Sequence, residues 1–308
     1  MTILMLLAGL VMLLVGGEVL VRGASAIAER LGMSSFVVGV VVVGFGTSTP
    51  ELVTSVEAAL IGSPGIAVGN IVGSNIANIL LILGLAAAVS PIAVQRATLR
   101  RDGMVALVAA IACLGLALIG SIDRLTGALL VAGLVAYLYV TIQHPTCTSA
   151  PAEEDAAPPP RLSVALALSV GGLAVVMLGA DLLVTSAIEL ARRSGVSESV
   201  IGLTIVAVGT SLPELATSMV AAYRKQADIA FGNILGSNIY NVLGILGVTA
   251  LVEPMAIPAD IADSDVWIMV AATLLLLVFA TTGRRICRME GIGFLALYGG
   301  YIGWMAVG

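Results

Sequence analysis

GTSTPELVTS, residues 46–55, returns as GTSLPELATS at residues 209–218, an offset of 163. The same offset carries GNIVGSNIAN (69–78) onto GNILGSNIYN (232–241), Pro91 onto Pro254 and Glu18 onto Asp181, without a gap. Between 36–94 and 199–257 roughly half of the positions are identical. Agreement of that length within one chain marks an internal duplication.

The chain around the duplication is apolar enough to need lipid. Its 308 residues are 59% apolar and only 11% charged, with a mean hydropathy of +1.10. Soluble domains carry about 25% charged residues to coat a wet surface. A helix takes about 20 residues to cross the hydrocarbon layer. Apolar runs fall at 2–28, 35–61, 66–90, 103–120, 125–142, 162–190, 197–222, 228–252, 265–282 and 290–307. They are continuous rather than alternating, which argues against a β-barrel. The first run lacks a basic leader and a cleavage site, so it reads as a retained span. The net charge of −5, with scattered Lys and Arg, gives no nucleic-acid signal. Cys113, Cys147 and Cys287 share no ligand-like spacing, and His144 reads as solvated.

The expected fold is therefore an all-α polytopic membrane protein of about ten transmembrane helices, arranged as two five-helix repeats. The first repeat covers 1–142, with motifs in 36–94. The second covers 162–308, with motifs in 199–257. Between them 143–161, QHPTCTSAPAEEDAAPPPR, reads as a semi-extended linker whose Glu153, Glu154 and Asp155 are solvated. An odd number of spans per half forces the second half to insert upside down. Basic residues set the orientation, because they stay on the cytoplasmic side. With the N-terminus outside, Arg30, Arg96, Arg100, Arg101, Arg161, Arg224, Lys225, Arg284, Arg285 and Arg288 are cytoplasmic; only Arg124, Arg192 and Arg193 are outside. Both termini then lie outside an inner or plasma membrane, and the linker lies in the cytoplasm.

The repeated motifs state what the repeats enclose. Glu51 and Glu214 lie deep in apolar runs, where a carboxylate must face a cavity or an ion rather than lipid. A carboxyl kept protonated by burial is the bland alternative, and the duplication of the acid weighs against it. Pro50 and Pro213 lack an N–H and so free the carbonyls of Gly46 and Gly209. Thr47, Ser48, Thr210 and Ser211 add hydroxyls on the same turns. Carbonyls, hydroxyls and carboxylates make an all-oxygen site suited to calcium or sodium and unsuited to copper or zinc. Asn70, Ser74 and Asn78 recur every four residues on one helix face, as do Asn233, Ser237 and Asn241. Asn78 and Asn241 are expected near the ions. Gly69, Gly73, Gly232 and Gly236 are accounted for equally well by close helix packing.

Other acids carry less weight. Glu18 has Arg22 one turn on, which suffices for a local ion pair. Asp181 is expected to rim an entrance or to meet Arg192 or Arg193. Glu57, whose counterpart position holds Val220, either lines a mouth or snorkels. Glu253, Asp260, Asp263 and Asp265 are expected in an outer connection, where they raise the local cation concentration.

GTSTPE and GTSLPE, each followed by a GNI-x-GSNI-x-N strip, resemble the two α-repeats of the cation/calcium exchanger superfamily. The resemblance covers the whole chain and is strongest to the prokaryotic sodium/calcium exchangers of similar length. It implies a central calcium site at Glu51 and Glu214, with Thr47 and Thr210 contributing oxygens and Asn78 and Asn241 completing the cluster. It also implies two flanking sodium sites. One holds the Gly44 carbonyl, Ser48, Glu214 and Ser237; the other holds the Ala207 carbonyl, Ser211, Glu51 and Ser74. Several sodium-coupled members carry an aspartate where this chain has Asn241, and proton-coupled relatives carry amides there. The expected function is a calcium-for-sodium antiporter working by alternating access as a monomer. It is not an enzyme and has no cofactor beyond its transported ions. A proton/calcium antiporter of the same superfamily is the alternative. An intramembrane protease would need paired aspartates or a Ser- or His-based centre on water, and a channel is usually built by several subunits around an axis.

Overall fold

The computed structural model describes residues 2–144, 160–194 and 207–307. Cys147, the acids of the 143–161 linker and residues 197–206 of the 197–222 run fall outside them. The chain is helical almost throughout: α1 (Thr2–Leu31), α2 (Ser35–Thr47), α3 (Thr49–Leu60), α4 (Pro64–Val89), α5 (Arg96–Ile119), α6 (Arg124–Gln143), α7 (Leu162–Arg193), α8 (Leu212–Tyr223), α9 (Ala227–Val252), α10 (Ile261–Thr281) and α11 (Arg288–Val307). Among the described residues seven helices are long and apolar enough to cross a membrane. The α2–α3 pair, bent by 44° at its break, makes an eighth. The fold is that of an all-helical, multi-pass membrane protein.

Burial sorts the helices into layers. In α4 and α9, 78% of the apolar window is buried, against 28% in α1, α6 and α7 and 39% in α5 and α10. The two helices that carry the GNI-x-GSNI-x-N strips are thus the centre of the bundle, and the outer ones expose Leu, Ile and Val.

The pairing of α1 with α7 has a simple cause. Gly9, Gly16 and Gly23 recur every seven residues on α1, and Gly172 and Gly179 do so on α7. A Cβ at Gly172 would lie 2.4 Å from the Leu20 nitrogen, and one at Gly16 would lie 2.8 Å from the Val176 nitrogen. One at Gly23 would lie 2.5 Å from the Ser169 hydroxyl. The backbones touch because nothing stands between them. Partners descend on α7 as they ascend on α1, from Thr2 with Glu189 to Gly23 with Ser169, so the two helices run antiparallel. This heptad of small residues is readable in the sequence but is overshadowed there by the stronger motifs.

Two short antiparallel bridges close the ends of the bundle. β1 (Ile92–Ala93) pairs with β4 (Arg285–Ile286), and β2 (Ser121–Ile122) pairs with β3 (Met255–Ala256). β1 and β2 lie at opposite ends of α5. β3, the 163-offset counterpart of β1, therefore sits at the end of the molecule opposite to it.

Two helix starts differ from the sequence reading. α5 begins at Arg96 rather than 103, because Asp102, fully buried, is gripped by Arg101 at 2.9 Å and the charges fold into the first turns. α10 begins at Ile261, so Asp263 and Asp265 form its opening turn instead of lying in a connection. Acids there complement the N-terminal end of the helix dipole. Asp123 caps α6 by accepting from the Thr126 amide at 2.8 Å, and the Thr126 hydroxyl and amide hold its carboxyl below the ordinary range.

Candidate functional site

The site begins at the breaks. Ser48 leaves helical geometry at φ −84°, ψ 10°, and Ser211 does the same at φ −87°, ψ 7°. Pro50 and Pro213 each stand in the first turn of the helix that follows, where a missing N–H leaves no bond unmade. At the first break the Gly44 carbonyl gathers the Thr47 hydroxyl at 3.3 Å and the Ser237 hydroxyl at 3.2 Å. Gly232 and Gly236 allow this approach: their Cβ atoms would lie 2.6 Å from the Phe36 carbonyl and 2.8 Å from the Val40 Cα. Gly69 and Gly73 meet no such backbone among the described residues.

Each half serves the other half's acid. The Ser48 hydroxyl donates to Glu214 Oε1 at 2.7 Å, and the Ser211 hydroxyl donates to Glu51 Oε1 at 3.4 Å. Ser211 also bonds the Ser74 hydroxyl at 3.4 Å. Both carboxylates are 1% exposed, and the Oε2 atom of each has no hydrogen-bond partner. The guanidinium groups of Arg22, Arg101, Arg193 and Arg224 all pair with other acids, Glu18, Asp102 and Glu189.

The amides are aimed with equal care. Asn78 Nδ2 donates to Asn238 Oδ1 at 2.9 Å, and Asn241 Nδ2 donates to Asn75 Oδ1 at 3.0 Å. Asn75 and Asn238 in turn each donate to the other's backbone carbonyl, at 3.3 and 3.4 Å. With their nitrogens occupied, Asn78 and Asn241 present Oδ1 atoms that are buried and unpartnered. Widened π-helical turns start at Asn78 and at Tyr240, as they often do where a helix carries a functional group. Asn70 and Asn233 are braces: they tie the Glu51 and Glu214 carbonyls to α4 and α9 at 3.1 and 3.2 Å and also hold Ser55 and Ser218.

The structure thus joins Gly44, Thr47 and Ser237 through one carbonyl, Ser48 to Glu214, and Ser211 to Glu51 and Ser74. Asn78 and Asn241 sit four residues beyond Ser74 and Ser237 on the same helices, in their own amide cluster. Ala207 opens the helical turn Ala207–Gly209 that leads into Thr210, and Thr210 lines a cavity with Ser74. Among the described residues no group of three or more His, Cys, Asp or Glu side chains could hold a metal. The donors are therefore two carboxylates, two amide oxygens, hydroxyls and carbonyls. Four buried oxygens without hydrogen-bond donors are costly unless a cation satisfies them. Hard cations fit this set.

Residues 1–143 and 164–307 match the sequence profile of the family described as sodium/calcium exchanger protein. The chain belongs to the sodium/calcium exchanger family. It is 41% identical to the putative antiporter CaxA of Alkalimonas amylolytica, over 96% of this chain and 95% of that one. It is 33% identical to the sodium/calcium exchanger MaX1 of Methanosarcina acetivorans, over 96% and 95%. A solved structure of the sodium-calcium exchanger NCX_Mj superimposes with a TM-score of 0.85 at 36% identity, covering 99% of this chain and 98% of that one. At the level the family fixes, this exchanger is a calcium/cation antiporter of the membrane, its ions are cargo, and its relatives are transporters rather than enzymes.

The remaining acids of the exchanger separate. Glu18 holds Arg22, as its spacing suggests, and also Arg224 at the end of α8, which the sequence did not reveal. Arg193 pairs with Glu189 instead of Asp181. Asp181 is exposed and lines a groove with Thr210 and Pro213; Glu57 is exposed on α3. Asp260 and Asp265 share a cavity of about 430 Å³ with Ser74 and Thr210, and the Tyr301 hydroxyl donates to Asp265 at 3.0 Å.

Asn75 and Asn238 escape the sequence reading because counting in fours from Asn70 steps past them. The signal that could have found them is the 163 offset, which pairs these two residues as it pairs the glutamates. They accept from the Nδ2 atoms of Asn78 and Asn241; for a calcium site at those two amides, Asn75→Ala and Asn238→Ala should each weaken calcium roughly tenfold or more, as loss of a partner that orients a ligand does. The calcium dependence of uptake in proteoliposomes measures this, and an unchanged half-saturation would refute the positioning role.

Proposed function

We propose that this exchanger moves calcium against sodium by alternating access, using one central site inside a single chain. Calcium takes the Oε2 atoms of Glu51 and Glu214 and the Oδ1 atoms of Asn78 and Asn241, with Thr47 and Thr210 beside them. Sodium takes two flanking clusters: the Gly44 carbonyl, Ser48, Ser237 and Glu214 on one side, and the Ala207 carbonyl, Ser211, Ser74 and Glu51 on the other. The observation that carries this reading is the set of four buried oxygens left without donors beside hydroxyls that cross from one half to the other. With asparagine at 78 and 241 the cluster holds two formal negative charges. One calcium, two sodium ions or two protons neutralise it, so only one kind of cargo is accommodated at a time, which is the basis of exchange. Protons would have no use for the hydroxyl and carbonyl clusters, and this favours sodium. The amide at Asn241 keeps proton/calcium exchange as the second reading.

The architecture in this proposal is ten spans in two inverted halves, 1–142 and 162–308. The antiparallel run of α1 against α7 and the opposite placement of β1 and β3 support the inversion. The midplane site between inverted repeats is where transporters of this construction bind cargo. Orientation follows the basic residues, with both termini outside. Single cysteines in 145–160, after removal of Cys147, should be protected from an impermeant thiol reagent in intact cells, while cysteines at the termini are labelled. The reverse pattern would overturn the orientation and leave the inversion standing.

An exchanger requires counterflow. Calcium should enter liposomes holding the purified protein only when a second cation moves out. Equilibration of calcium with no counter-ion on either side would identify a channel instead.

A further inference from the structure

Away from the ion site, the β1–β4 bridge builds a second pocket. The Val94 amide donates to the Arg284 carbonyl at 2.9 Å, and Ala93 stands opposite Arg285. This clamps the start of α5 against the end of α10. Arg284 follows Gly283 in a left-handed turn, with φ of 58° and 91°, which turns the chain end back over α5. The result is a cavity of about 310 Å³ lined by Val94, Arg96, Leu99, Ala280, Thr281 and Arg284. Its floor is apolar: Val94, Leu99 and Ala280 are buried. Arg96 and Arg284, one from each half of the chain, also line it, and both are exposed.

Among the described residues, the acids nearest in sequence are engaged elsewhere. Asp102 is bound by Arg101, and Glu290 accepts from the Thr282 hydroxyl and the Cys287 amide, both at the turn beyond the pocket. Arg100, Arg285 and Arg288 lie at the same end of the bundle and add positive charge. The position is informative as well. Arg96 opens one membrane-spanning helix and Thr281 closes another, so the pocket sits where two spans leave the apolar layer. Paired guanidiniums recognise phosphate through bidentate bonds. An apolar floor at that depth suits the glycerol and upper acyl carbons attached to such a phosphate. Basic pockets between transmembrane helices bind anionic lipid headgroups for these reasons.

We propose that Arg96 and Arg284 form a binding site for the phosphate of an anionic phospholipid, which bridges the two halves of the exchanger at one membrane surface. Each cation near an anionic headgroup contributes enough that removing both should weaken the lipid by roughly thirtyfold. The test is native mass spectrometry of the full chain released from nanodiscs of phosphatidylcholine with and without phosphatidylglycerol.

The wild type should retain phosphatidylglycerol and not phosphatidylcholine. R96Q/R284Q should lose it while keeping wild-type elution and calcium exchange in zwitterionic lipid. R96K/R284K should retain an intermediate amount, because the charge remains and the bidentate geometry does not. Millimolar inorganic phosphate should leave the lipid in place. Wild-type retention by R96Q/R284Q would overturn the site. An equal loss in R100Q would reduce it to general surface charge. Displacement of the lipid by inorganic phosphate would assign the pocket to a free anion instead.

Discussion

Glu51→Gln and Glu214→Gln should each abolish calcium transport in a protein that still inserts and elutes as the wild type does. The amide is isosteric with the carboxylate and can still accept the bond from Ser211 or Ser48, so little else changes. What changes is charge. Unit charges 4 Å apart interact by about 4 kcal/mol at an effective dielectric constant of about 20, and a divalent ion doubles this. Even half of the resulting ~8 kcal/mol exceeds the ~1.4 kcal/mol that separates each factor of ten in affinity. A loss of at least about a hundredfold in calcium uptake at fixed calcium follows. The same substitutions should suppress sodium-dependent efflux, since each glutamate belongs to one sodium cluster in the proposal. Near-normal flux from either purified variant would remove the site.

The second large effect is expected at the seam between α1 and α7. Gly172→Val places a branched side chain where even a Cβ would lie 2.4 Å from the Leu20 backbone. Neither helix can withdraw without losing the contacts of the whole α1–α7 seam. Overpacking of this kind costs on the order of 3 kcal/mol, and more when backbone opposes backbone. Gly172→Val should therefore lower the midpoint of thermal unfolding by several degrees or prevent accumulation in the membrane. Gly171→Val, one position away with open space around it, supplies the control and should behave as the wild type. Equal stability of the two variants would mean that the seam is looser than described.

How much of the fold and the site is legible in the sequence depends on which physical signal each residue leaves. The broken turns are readable because a proline opens a helix more readily than it continues one, and a doubled acid in apolar sequence demands a cation or a cavity. The pairing of one half's serine with the other half's glutamate is implied only by the family resemblance, since spacing within a helix says nothing about its neighbour. The early starts of α5 and α10 are hidden because Arg96, Arg101, Asp263 and Asp265 look like loop residues until their partners and the helix dipole are seen. Arg224 is hidden from Glu18 for the same reason. The two halves meet there in space and nowhere in sequence.

The central claim is that sodium and calcium compete for the charge of Glu51 and Glu214. It is tested most directly by loading proteoliposomes with sodium, diluting them into sodium-free medium containing radiolabelled calcium, and clamping pH and voltage. Calcium should accumulate inside, and accumulation should vanish when sodium is equal on both sides, whatever the pH gradient. Calcium uptake that ignores the sodium gradient and follows an imposed pH gradient would contradict sodium coupling and make the protein a proton/calcium exchanger.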